Sequence, residues 1–96
     1  EDALREAQRC VSKRWGQKRI AAHLHSKGYP DESVKRAIYA LEDEGVDFFA
    51  LCLERLRATY SELPSDRAAL QKTVAALSRY GFSSSDIRDA MKDFYN

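Results

Sequence analysis

The sequence predicts an all-α chain: two tandem three-helix repeats, helix-turn-helix-like in outline, forming an elongated and curved rod. Three observations predict it. Apolar residues recur six times with the 3.6-residue period of an amphipathic helix, and nowhere do Val, Ile and Thr alternate as a strand would. Gly28, Gly45 and Gly81 each follow an apolar stripe, where a left-handed helix stop belongs. Displacing the chain by 53 residues lays its second half on its first.

The helices follow in order. The first spans residues 2–13, with Leu4, Ala7 and Val11 on one face. The second spans 17–26, carries Ile20, Ala21 and Leu24, and stops at Gly28. Pro30-Asp31 then makes a turn, with Asp31 as the expected N-cap of a third helix buried through Val34, Ala37, Ile38 and Leu41. That helix ends in Glu42-Asp43-Glu44 before Gly45. The fourth, 47–60, places Phe49, Cys52, Leu53, Leu56 and Tyr60 at helical spacing, and residues 61–65 with Pro64 form a linker. The fifth, 66–79, turns Leu70, Val74 and Leu77 inward. The sixth runs from a Ser84 or Ser85 cap to Phe94 and buries Ile87, Ala90, Met91 and Phe94.

The internal repeat is the most informative of these features. A shift of 53 residues pairs Leu24 with Leu77, Gly28 with Gly81, Tyr29 with Phe82 and Val34 with Ile87. It also pairs Ala37 with Ala90, Ile38 with Met91 and Leu41 with Phe94. The aromatic after each glycine is expected to plug the corner between two helices. Two units result, 1–45 and 46–96, each touching chiefly its neighbour. Such a rod suits lying along another long object and offers no deep pocket.

Composition bounds the class without naming a function. With 96 residues, 44% hydrophobic and 32% charged, the chain fits an ordered small globular protein with a thin core. A net charge of +1 makes no case for nucleic acid from bulk charge. The longest apolar run, residues 48–53, is far short of the roughly 20 residues of a membrane span. No basic-then-apolar leader opens the chain, and its start at Glu1 without Met suggests a piece of a longer protein. Cys10 and Cys52 form no Cys-x-x-Cys and are expected as small buried hydrophobes in a reducing, cytoplasmic setting.

Little in the chain suggests chemistry. His23 and His25, two apart on a helix, point roughly 200° apart, cannot chelate one metal and read as surface residues. Neither cysteine has an orienting partner for nucleophilic work. The acids at 42, 43, 44 and 47 lack calcium-loop spacing, and no Gly-rich phosphate loop is present. The expectation is a non-enzymatic protein with no cofactor and no metal.

Charge placement is more informative. Between Arg5 and Pro30 stand seven Lys and Arg residues against one acid, Glu6. Lys13, Arg14 and Trp15 occupy the corner between the first two helices, with Lys18 and Arg19 just inside the second. Arg14 and Lys18, four apart, can share a face. Trp15 can stack on a base or enter a partner's groove, or it can anchor the first helix on the third. This stretch is read as a binding surface for phosphates or for an acidic protein.

The segment Arg14-Trp15-Gly16-Gln17-Lys18-Arg19-Ile20, followed by Leu24, Lys27-Gly28-Tyr29, Val34 and Ala37-Ile38, resembles the second repeat of the bacterial RecX regulatory family. Ala76-Leu77-Ser78-Arg79-Tyr80-Gly81-Phe82-Ser83, with Ile87 beyond, resembles that family's third repeat. Tyr80 stands where the family usually has a basic residue, and Tyr29 where it commonly has Ile. The resemblance implies a fragment covering the second and third three-helix repeats. It implies a regulator that binds the RecA–single-stranded DNA filament and dampens recombination, ATP hydrolysis and SOS co-protease activity, with possible direct DNA contact and no membrane association. Carried onto matching positions, it makes Lys18, Arg19, Lys27, Lys72 and Arg79 candidate contacts. Lys13 and Arg14 join them from the charge cluster alone and Trp15 as a stacking residue at the same corner, and Arg88 and Lys92 rank lower because Asp89 and Asp93 intersperse them. The chain is expected to act as a monomer.

Two other readings differ in class. The second and third helices have the outline of a helix-turn-helix DNA reader, but the third begins Asp31-Glu32-Ser33, which would face phosphates unfavourably. The other is a helical adaptor binding protein through a Phe48/Leu51 surface.

Overall fold

A computed structural model describes residues 2–96, so residue 1 of the first expected unit lies outside the described residues. The chain is all-helical: α1 (Asp2–Ser12), α2 (Gln17–Ser26), α3 (Asp31–Asp43), α4 (Phe48–Thr59), α5 (Arg67–Arg79) and α6 (Ser84–Asp93). Its extents of 43 × 23 × 19 Å make it about twice as long as wide.

Two hydrophobic clusters divide the interior. The first joins α1, α2 and α3 through Ala7, Cys10, Ile20, Leu24, Ala37 and Leu41. The second joins α4, α5 and α6 through Cys52, Leu56, Leu77, Phe82, Ile87 and Ala90. Leu51 of α4 packs against both. Five of the seven pairs related by the 53-residue shift have matching environments; Gly28 is exposed where Gly81 is buried, and Tyr29 is only half-buried where Phe82 is buried. Leu24 and Leu77 are buried, as are Val34 and Ile87, Ala37 and Ala90, and Leu41 and Phe94, while Ile38 and Met91 are both half-buried. Phe82, 1% exposed, fills the corner between α5 and α6, a burial worth about 2–3 kcal/mol.

The helices stop by one device used four times. In each, the residue after the cap takes a left-handed φ: Arg14 at 57°, Gly28 at 94°, Gly45 at 98° and Gly81 at 97°. The next amide then reaches back five residues, Trp15 to the Cys10 carbonyl (3.2 Å), Tyr29 to Leu24 (3.1 Å), Val46 to Leu41 (3.0 Å) and Phe82 to Leu77 (3.3 Å). This is the Schellman arrangement, and the residue after each stop packs into the interior, Trp15, Tyr29 and Val46 against the first cluster and Phe82 within the second. Three of the four use glycine, for which this conformation costs nothing; Arg14 does not.

Several local expectations change. Asp31 is the first residue inside α3, and Pro30 takes the N-cap position with no side-chain bond. Proline fixes φ near the cap value and needs no amide there. Ser83, not Ser84 or Ser85, caps α6 by accepting from the Asp86 amide at 3.2 Å. Asp47 and Asp66 cap α4 and α5. In α1, Ala3, Ala7 and Cys10 are the buried face, with Leu4 and Val11 on its flanks. In α4 the deep position is Phe48 rather than Phe49. In α5, Val74 is 40% exposed and Thr73 is buried in its place. The Thr73 hydroxyl lies 3.3 Å from Tyr60 Oη and 3.2 Å from the Ala69 carbonyl, so its polar atom is satisfied. The 61–65 connection is tied down, because the Leu63 amide donates to Tyr95 Oη at 2.9 Å.

Candidate functional site

The corner between α1 and α2 is where the sequence concentrates cations, and it is also where the two units meet. The first amides of α2 need acceptors, and the last carbonyls of α5 need donors. They satisfy each other. The Gly16 amide donates to the Tyr80 carbonyl at 2.7 Å and the Lys18 amide to the Gly81 carbonyl at 3.0 Å. The positive end of α2 thus abuts the negative end of α5, the favourable pairing of helix dipoles.

Arginine and aromatic side chains close this junction. The Arg19 guanidinium stands 4.2 Å from the Trp15 ring centre and 5.4 Å from that of Tyr80. Arg55, from α4, lies 3.5 Å over the other approach to Tyr80 and donates from Nε to the Arg14 carbonyl and from Nη2 to the Lys13 carbonyl, both at 3.1 Å. Arg55 thereby supplies donors to carbonyls beyond the end of α1. Each partly desolvated cation–aromatic contact contributes about 0.5–2 kcal/mol. Arg14 adds an exposed pair, Nε to Glu54 Oε1 at 3.3 Å.

These contacts sort the predicted residues. Arg19 and Trp15 are half-buried parts of the junction, and Trp15 also meets His23 edge-on at 5.5 Å. Arg14 does not share a helical face with Lys18, because its left-handed backbone lies in the turn and its side chain turns to α4. Lys13, Lys18, Lys27, Lys72 and Arg79 are exposed, and among the described residues none of them forms an ion pair. Lys13 Nζ stands 5.1 Å from the Trp15 ring.

Other residues settle differently from expectation. His23 is not a surface residue: it is half-buried, with Nε2 2.7 Å from Glu6 Oε2. His25 is exposed and pairs with Asp31 at 3.3 Å. The Phe48/Leu51 surface does not exist as a surface, since Phe48 is 6% exposed and Leu51 lies between the two cores. Cys10 and Cys52 are buried free thiols. Burial pushes both thiols up, Cys52 to about 12, with Asp86 adding to the effect there and Glu6 at Cys10. Among the described residues, no group of three or more His, Cys, Asp or Glu side chains could hold a metal ion. No helix among them is long and apolar enough to cross a membrane.

The junction residues Arg55, Glu54 and Tyr80 carried no local signal in the sequence. Gly16 gave no clue either, because glycine is an ordinary N-cap and Gly16 caps α2. No protein-family model matches this chain, and neither a curated protein nor a solved structure matches it.

Proposed function

We propose that this chain is a RecX-type regulator, a non-enzymatic protein that binds the RecA–single-stranded DNA filament and restrains recombination, ATP hydrolysis and co-protease activity. One observation carries the reading. The two segments that resemble the family, residues 14–20 and 76–83, are the two that lock together between the units, through Gly16, Lys18, Tyr80 and Gly81. A two-unit chain 43 Å long, with exposed lysines at its joint, has the length and charge to follow a filament groove.

The test is anisotropy of labelled single-stranded DNA, bare and coated with RecA and a non-hydrolysable nucleotide, with duplex DNA alongside, at two salt concentrations. Preferential, salt-sensitive binding to the coated filament is expected. The variant to compare is Lys13→Glu with Lys18→Glu, which keeps Arg19, Arg55 and the backbone bonds of the junction and gives up only the exposed Lys13–Trp15 contact. It should weaken filament binding and lower the salt slope by about 0.7 for each lysine on a single-strand phosphate. Equal affinity for bare duplex with indifference to RecA would replace this reading with the helix-turn-helix one.

A further inference from the structure

The 53-residue repeat duplicates a groove as well as a core. In the first unit a groove runs between α2 and α3, floored by Ala21, Val34 and Ile38. In the second a groove runs between α5 and α6, floored at the equivalent positions by Val74, Ile87 and Met91. The rims correspond too, Lys35 in one to Arg88 in the other. Lys18, at the start of α2 beside the junction, lines both grooves, so the two adjoin there and can be read as one track.

We infer that this track is a docking site for an acidic amphipathic helix of a partner protein, whose apolar stripe enters both grooves in turn. Shape gives the apolar half of the argument. Both floors are aliphatic and partly open to solvent: Val74 is 40% exposed, and Tyr39 at the border of the first groove is 64% exposed. Aliphatic anchors at i, i+3, i+4 and i+7 are what a groove between two helices accepts.

Charge gives the other half. The cations lining the track are Lys18, Lys35, Arg88 and Lys92, and its single carboxylate, Asp31, is held by His25 at 3.3 Å. A basic helix would be repelled along the whole length, whereas glutamates flanking an apolar stripe would meet the four cations. A helix of about 18 residues, about 27 Å long, carries an apolar stripe over about five turns. The second groove offers one more aliphatic anchor, since Leu70 stands there where the first has Gln17. The inference rests on the grooves alone and holds whether or not the filament is the target.

The probe is a fluorescein-labelled, end-blocked 18-residue peptide of Leu and Glu with leucines at helical spacing. Its controls are the same composition scrambled and the same pattern with Lys for Glu. Saturable binding at one peptide per chain is expected, with at least tenfold weaker binding of both controls. Val74→Glu, at an exposed position, and separately Arg88→Glu, wholly on the surface, should each weaken binding about tenfold while circular dichroism stays unchanged. Absence of binding, two peptides per chain, equal binding of the lysine peptide, or no effect of either variant would overturn the proposal.

Discussion

Gly16 and Gly81 meet backbone to backbone across the two units: a methyl group on Gly16 would overlap the carbonyl of Gly81 and the amide of Phe82, and one on Gly81 would overlap Arg19. The contact is what lets the Gly16 amide reach the Tyr80 carbonyl. Gly28 is its natural control. It occupies the equivalent position of the first unit, with φ of 94° against 97°, yet nothing lies within 4 Å of where its methyl group would be.

Gly28→Ala should therefore cost only the left-handed backbone, about 1–2 kcal/mol. Gly81→Ala should cost that amount plus about 1–3 kcal/mol of overpacking at the joint. Urea denaturation of the two variants measures the difference, which is the cost of crowding the junction. Equal losses would mean that the units are not held together through this contact.

Arg14 is the one non-glycine among the four left-handed stops, and its replacement reports on strain. Arg14→Gly releases about 1–2 kcal/mol of backbone strain. Against that stand about 0.4–1 kcal/mol from a looser unfolded chain and a few tenths from the exposed Glu54 pair. The net expectation is a gain of about 0.5 kcal/mol, or a melting point higher by about 2–4 °C. Arg14→Ala keeps the strain and loses the pair, so it should not melt higher. A thermal scan of both variants decides it.

The helices, their glycine stops and most of the buried frame were legible in the sequence because each depends on local spacing. Val74 was misplaced because a threonine is an unlikely core residue until a partner for its hydroxyl is known, and Tyr60 is thirteen residues away. The repeat itself held the correction: Thr73 is the counterpart of fully buried Ile20, and Val74 of half-buried Ala21. His23 escaped for a similar reason, since Glu6 sits seventeen residues back on another helix. In the candidate site the cationic corner was legible from charge alone. Its division into junction residues and exposed lysines was not, because that depends on Arg55 and Tyr80 arriving from the second unit.

Cys52 offers a check on the second core. With its thiol pushed up to about 12 by burial, about one molecule in 10⁴ would carry a thiolate at pH 8. A thiol-specific disulfide reagent should therefore leave Cys52 unlabelled in the native protein and label it on unfolding, at a rate that follows global opening in urea. Rapid labelling without denaturant would place Cys52 at the surface and contradict the packing of α4 on α6.

Glu6 links the first core to pH. The hydrogen bond from His23 holds its carboxyl below the ordinary value of 4.5, with Lys27 and Arg9 assisting and partial burial opposing. A carboxylate whose folded value is depressed binds fewer protons in the native state than in the unfolded one, so it stabilises the fold wherever it is ionised in both. That contribution is complete above the unfolded value near 4.5 and is lost as pH falls through the lower folded value. Stability of the parent chain should therefore decline as the medium is acidified below about pH 4.5. In Glu6→Gln the same decline should be shallower, because the titrating group is gone. Urea midpoints measured across the acid range compare the two slopes, and parallel slopes would show that the Glu6–His23 contact is not populated in solution.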